Sequence, residues 1–258
     1  DARSGALLAS RNADQRRAVA STQKLLTALV VLDAGNLDKM VTIQSTDVRV
    51  EPTRLGLVPG HRYSRRQLLY AVLVKSANDV AKALARDVSG SSAAFAQAMN
   101  AKMRQLGGSS YSFVNPHGLT EPGQYATARD MARVAMAAYR NSFIRDAVSR
   151  KYYKFTFNNG KSVTLENTNK LLGDMSACNG MKTGYTVASG RCLISSARSG
   201  GNDVILVQLG SKTQYIFNDA RTLMSWGLRQ LGSSYAGEED APAGAYAAQF
   251  ADAALSLP

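Results

Sequence analysis

From about residue 64 to residue 149 the chain reads as one helix after another, and on both sides of that block it reads as strand. "SRRQLLYAVLV" carries an apolar stripe behind Ser64, a candidate N-cap, and "SSAAFAQAMNAKMRQLGG" ends on glycines, as helices commonly do. "TARDMARVAMAAYR" opens on Thr127 with Asp130 three residues later, close to a capping box. Ahead of the block, residues 1–12 read as strand, Ser-Gly turn and strand, residues 18–35 as an amphipathic helix, and "KMVTIQ" as a short β-branched run. Residues 51–63, with two prolines and two glycines, read as loop. After the block, "KYYKFTF", "NNG" and "KSVTLEN" form a hairpin signature. "GMKTGYT", "GRCLISSAR" and "DVILVQLG" supply three further strands, and "NDARTLMSWGLRQL" a closing helix. An α/β layer interrupted by a helical insertion is the simplest architecture that fits this order.

A chain of 258 residues, 45% hydrophobic and 19% charged, buries a sizeable core, and no apolar run reaches the ~18 residues that suggest a membrane span. No basic, apolar leader precedes Asp1, so any export signal lies outside this sequence. The net charge of +12 favours anionic partners such as nucleic acid, acidic lipid or an acidic wall polymer. Zinc-finger spacing and RNA-binding aromatic motifs are both lacking, which argues against nucleic acid. Beyond residue 232 the sequence turns Ala- and Gly-rich and acidic through Glu238, Glu239, Asp240 and Asp252, the composition of a flexible tail. A weak amphipathic helix over 245–256 lacks the basic face of a membrane-surface helix, so membrane anchoring is not evident.

The two cysteines and two histidines have no metal-site spacing, and no metal or cofactor is expected. Cys178 and Cys192 flank a predicted hairpin. A turn centred near Gly184–Tyr185 would bring them opposite each other and permit a disulfide. One centred near Val187 would leave two off-register thiols, and the sequence leaves both open. His61 reads as surface, His117 in "NPHGL" as loop packing, and Trp226 as core.

Three short motifs carry the chemistry. In "STQK", Ser21 and Lys24 sit three apart on a helix and share a face, with an apolar run behind them to bury the lysine. In "SAN", Ser76 and Asn78 stand at the mouth of another helix. In "KTG", Lys182 and Thr183 lie on a strand where Gly184 would let a ligand approach the backbone. Each is weak alone. Their order, with a helical block between the first and the third, makes them specific as a set.

The set resembles that of the penicillin-recognising serine acyltransferases, and within them the low-molecular-mass penicillin-binding proteins that act as serine-type D-alanyl-D-alanine carboxypeptidases. "DARSGALLASRNADQRRAVASTQK", "NPHGL", "GQYATARDMARVA" and "GMKTGYTVASGRCLISSA" extend the resemblance over residues 1–232. It implies an antiparallel sheet flanked by helices, with an all-helical subdomain of about 46–149 inserted between sheet parts 1–45 and 150–232, and the tail of 233–258 outside. It also implies a periplasmic or extracytoplasmic hydrolase acting on peptidoglycan stem peptides and acylated by β-lactams, with no cofactor.

By resemblance, Ser21 is the nucleophile and Lys24 its base. Ser76 relays the proton to the leaving group, and Asn78 holds the substrate amide or Lys24. Lys182 and Thr183, together with Lys212, bind the terminal carboxylate. The backbone N–H groups of Ser21 and Tyr185 form the oxyanion hole.

A D,D-endopeptidase would carry the same motifs. A β-lactamase of this fold would need a deacylating glutamate. The nearest, Glu166 in "ENTNKLL", has Asn169 where that family's pattern places leucine. A non-catalytic penicillin sensor would need little beyond the nucleophile and base. Many relatives also carry a second, β-rich domain and a C-terminal anchor, neither of which is expected within residues 1–258.

Overall fold

The computed structural model describes residues 1–211 and 215–235. From residue 18 onward its elements follow the order read from the sequence, with one added strand at Arg62–Ser64, at the end of the stretch read as loop. A 3-10 turn, Ala20–Gln23, runs directly into helix α1, Lys24–Asp33, whose Leu25, Leu26, Ala28 and Val31 are wholly buried. Burying a leucine of this kind stabilises the fold by about 1.5–3 kcal/mol. Strand β1, Met40–Thr42, pairs antiparallel with β2, Arg62–Ser64.

The helical block follows: α2 (Arg65–Val74), α3 (Asn78–Ser89), α4 (Ser92–Gln105), α5 (Ala128–Arg140) and α6 (Ser142–Ser149). Ser64 caps α2 in a full capping box, its Oγ accepting from the Gln67 N–H at 3.1 Å while the Gln67 side chain accepts the Ser64 N–H at 3.0 Å. Thr127 does the same work for α5 by accepting the Asp130 N–H at 3.0 Å.

The hairpin predicted around "NNG" is β3 (Tyr152–Thr156) paired with β4 (Ser162–Glu166). After the short helix α7 (Leu171–Asp174) come β5 (Cys178–Thr186), β6 (Gly190–Ser199) and β7 (Asn202–Ser211), then α8 (Ile216–Gln230). The three strands form one antiparallel sheet in the order β5-β6-β7. Successive residues of β6 point to opposite faces, as strand geometry requires. Ile194 joins the core shared with the helical block, while Leu193 and Ala197 pack with Ile216, Ala220, Met224 and Leu228 of α8. The sheet is therefore covered on both faces, α5 and α6 on one and α8 on the other.

Residues 1–12 depart from expectation and form no strand. Asp1 closes a turn on its own segment: its carboxylate accepts from the Arg3 N–H at 2.9 Å and from the Ser4 hydroxyl, and its carbonyl accepts the Gly5 N–H at 3.0 Å. One backbone hydrogen bond, Ala2 N–H to the Asp203 carbonyl at 2.8 Å, ties this turn to β7. The β5–β6 register pairs Cys192 with Gly184 and Cys178 with Ala197, so the two cysteines are off register and both are free thiols. Trp226 is half-buried on α8, and His61 is half-buried beside Tyr63. Lys212 and the tail from 236 onward lie outside the described residues.

Candidate active site

The nucleophile candidate sits on the 3-10 turn rather than on the α-helix itself. The turn is held from two sides by glycines. At Gly118, with φ +92°, a Cβ would fall 2.1 Å from the Ala20 carbonyl oxygen. At Gly184 on β5 a Cβ would fall 2.8 Å from the Ser21 nitrogen and 2.9 Å from the Ala20 Cβ. Real Cβ atoms do not come that close, so glycine is what lets the strand and the loop close on the serine.

Lys24 is wholly buried beneath Ser21. Its Nζ lies 2.7 Å from Ser21 Oγ, 2.8 Å from Asn78 Oδ1 and 2.5 Å from the His117 carbonyl oxygen. The orientation of the Asn78 amide follows from its other end, where Nδ2 donates to the Pro52 carbonyl, leaving Oδ1 for the lysine. The Asn78 backbone N–H donates to the Thr53 carbonyl at 2.8 Å, and the Asp79 carboxylate accepts the N–H groups of Leu55, Gly56 and Leu57. These bonds pin the 51–57 loop to the start of α3 and hold Asn78 in place.

Burial drives the Lys24 ammonium well below its ordinary pKa, and the charge of Lys182 pushes in the same direction. Lys182 is itself buried on β5, where desolvation lowers it to about 7, and its Nζ donates to the Thr183 carbonyl at 3.1 Å. A neutral Lys24 has two hydrogens and one lone pair. Asn78 Oδ1 and the His117 carbonyl can only accept, so they take both hydrogens, and the lone pair is left facing the Ser21 hydroxyl. That is the geometry of a base beside its nucleophile.

Ser76 closes the loop before α3 with a left-handed backbone, φ +66°, a strained conformation for a residue with a side chain. It is 6% exposed, and its hydroxyl makes no hydrogen bond among the described residues. The Thr183 hydroxyl bonds that of Thr168. Tyr185 is exposed, with the Arg191 guanidinium 5.6 Å from its ring centre. Ser21, Lys24 and Asn78 thus meet directly, and β5 brings Gly184 against Ser21. Lys182 and Thr183 flank them on the same strand.

Two contributors were not anticipated from the sequence. The His117 carbonyl touches both Lys24 and, at 3.3 Å, Ser21 Oγ. Its ring behaves as read, packed in the loop with Nδ1 accepting the Leu119 N–H at 3.3 Å. Burial, then the charges of Lys24 and Lys82, lowers the ring to about 3. The other is Thr168, whose signal lay in the "NTN" stretch after β4. Glu166 is exposed at the end of β4, opposite Tyr152.

The chemistry this cluster can perform is that of an active-serine acyl-transfer enzyme. The chain belongs to peptidase family S11, described as D-alanyl-D-alanine carboxypeptidase, whose model matches residues 1–213. It is 36% identical over 242 residues to the D-alanyl-D-alanine carboxypeptidase DacC of Escherichia coli K12, covering 89% of this chain and 60% of that relative. It is also 32% identical to a D-alanyl-D-alanine endopeptidase of Escherichia coli K12, over 88% of this chain and 74% of that relative. Among solved structures, the crystal structure of the Streptomyces K15 DD-transpeptidase matches at a TM-score of 0.83 and 32% identity, covering 88% of this chain and 94% of that one. The chain thus spans less than two thirds of the length of DacC.

Proposed function

We propose that this chain is a serine D-alanyl-D-alanine carboxypeptidase that removes the terminal D-alanine from peptidoglycan stem peptides. The observation that carries the reading is the Lys24 amine, held by two obligate acceptors with its lone pair on Ser21 Oγ. In the proposed cycle Ser21 Oγ attacks the carbonyl carbon of the penultimate D-alanine as its proton passes to Lys24 Nζ. The oxyanion forms against the backbone N–H groups of Ser21 and Tyr185, a kind of stabilisation in which one donor is worth about 2.7–4 kcal/mol. The C–N bond then breaks, and the proton reaches the departing D-alanine amine through the Ser76 hydroxyl. Water attacks the resulting ester, returns its proton through Lys24, and frees Ser21.

Lys182 and Thr183, together with Lys212, hold the terminal carboxylate in this reading, which is why an amidated terminus would be refused. A β-lactam presents the same carboxylate beside an amide and acylates Ser21. The +12 charge suits an acidic wall polymer as partner, and a wall substrate puts the working location outside the cytoplasm. The same reading divides the chain into a catalytic domain over 1–232, with the helical subdomain at about 46–149, and a tail over 233–258.

The test is release of D-alanine from a peptide ending in D-Ala-D-Ala, with a D-Ala-L-Ala control. Release from the first peptide alone supports the reading, and release from neither contradicts it. The endopeptidase relative gives a second reading, cleavage of cross-linked stem peptides. A cross-linked muropeptide dimer offered beside the linear peptide separates the two by their relative rates.

A further inference from the structure

Asn115, Pro116 and His117 present three consecutive carbonyl oxygens to one face of the 3-10 turn and helix α1. Gln23 Nε2 donates to the Asn115 carbonyl at 2.6 Å, Thr27 Oγ1 to the Pro116 carbonyl at 2.7 Å, and Lys24 Nζ to the His117 carbonyl at 2.5 Å. The side chain that folds this segment back on itself is Asn115, which is 3% exposed. Its Oδ1 accepts the N–H groups of His117 at 3.2 Å and Gly118 at 2.7 Å. Its Nδ2 donates to the Leu119 carbonyl at 2.9 Å and to Glu121 Oε1 at 3.0 Å. An asparagine that binds the backbone two and three residues ahead fixes the direction of the carbonyls between.

We propose that Asn115 is a positioning residue for the reaction: by aiming the His117 carbonyl at Lys24 Nζ, it fixes the amine lone pair on Ser21. The inference rests on the Ser21–Lys24 reading and adds a requirement to it. A neutral amine needs two acceptors and an ammonium needs three. With the His117 carbonyl turned away, Nζ keeps Asn78 Oδ1 and Ser21 Oγ. The amine can then rotate, so its lone pair no longer points at the hydroxyl and acylation slows. The ammonium also loses its third acceptor, which disfavours the protonated form more than the neutral one.

Loss of Asn115 therefore has an unusual signature, a slower enzyme whose base is free at lower pH. The other groups facing Nζ are the Lys182 ammonium from β5, the uncharged Asn78 from α3, and the His117 ring, which burial keeps neutral above about 3. Neither Lys182 nor Asn78 hydrogen-bonds Asn115, and the His117 ring stays uncharged across the pH range of the test.

The test measures the second-order rate of acylation by a fluorescent penicillin from about pH 5 to about pH 10 in the parent and in Asn115→Ala, Asn115→Ser and Gln23→Met. Melting temperatures are recorded alongside. Asn115→Ala and Gln23→Met are expected to be slower by at least about tenfold, with the acid limb moved to lower pH by about one unit. Asn115→Ser, whose hydroxyl can accept from the same N–H groups, restores the parent limb. An acid limb that overlays the parent's in a folded Asn115→Ala overturns the inference, whatever its melting temperature. Should that variant not fold, Gln23→Met decides in the same way. A parent that takes no label at Ser21 overturns the reading underneath, so the two failures are told apart.

Discussion

Gly184 and the backbone nitrogen of Ser21 are so close that a single methyl group on the glycine would fall 2.8 Å from that nitrogen. The strand carrying Lys182 and Thr183 is thereby pressed against the turn carrying Ser21, and the Ser21 N–H lies at that junction.

The first prediction follows from this contact. Gly184→Ala must move the strand off the turn, because the atoms met are the Ser21 and Thr22 backbone nitrogens and the Ala20 Cβ, none of which can rotate away. Overpacking of this kind typically destabilises by about 1–3 kcal/mol. Acylation of Ser21 should fall by at least about tenfold, since one misplaced oxyanion donor already has that effect. Gly173→Ala is the control, because a Cβ there meets nothing within 4 Å. Rates measured with a chromogenic cephalosporin check the pair. Equal rates for Gly184→Ala and the parent would contradict the account of the junction.

The two buried lysines make a second prediction. Burial lowers Lys24 first, and the Lys182 charge lowers it further. Lys182→Met removes that charge, so the acid limb of the acylation rate should move to higher pH, even as affinity for a carboxylate-bearing substrate falls. A pH profile of acylation in the two proteins reads the shift directly, and a limb that stays or moves to lower pH contradicts the coupling.

Lys182 gives a third prediction, an upper limit on pH. Burial pushes its ammonium down to about 7, so kcat/KM for a substrate with a terminal carboxylate should decline above that value. An analogue lacking the carboxylate should show no such decline. Stability changes with pH in the opposite sense. The folded pKa is below the unfolded value, so between about 7 and 10.5 the unfolded chain holds more protons than the folded one. The contribution is present above 10.5 and is lost as pH falls to about 7, so the melting temperature of the parent should rise with pH relative to Lys182→Met across that window.

The His117 ring gives a fourth prediction, on the acid side. Burial is the main cause of its fall from 6.5 to about 3, so the unfolded chain binds a proton in that interval that the folded chain does not. Stability is lost as pH falls through 6.5 toward about 3. His117→Gln should flatten that loss, read as chemical denaturation midpoints over the interval. A parent and variant with parallel curves would contradict a neutral buried ring.

Much of this site was legible because its chemistry is written in side chains. Ser21 and Lys24 are three apart on helical structure, and an apolar run behind them buries the lysine. The capping residues Ser64 and Thr127 and the Asn-Gly hairpin were legible for the same local reason. What escaped was made by backbone and by distance. Every residue has a carbonyl, so nothing in "NPHGL" marks that of His117 as a partner of a lysine 93 positions away. The N-terminal strand failed because Asp1 offered its neighbours a turn that outcompeted a sheet edge. The cysteine register hung on where one hairpin turns. It turns between Thr186 and Gly190, where the Ser189 hydroxyl and Thr186 bind each other, and that setting keeps Cys178 and Cys192 apart.

The central claim is that Ser21, activated by Lys24, is the nucleophile. An intact-mass time course after adding benzylpenicillin, followed by peptide mapping, tests it most directly when run on the parent and on Ser21→Ala. The parent should gain one penicilloyl group per chain, on the peptide containing Ser21, and the variant none. A parent that gains no mass, or a Ser21→Ala protein that gains the same mass, would contradict it.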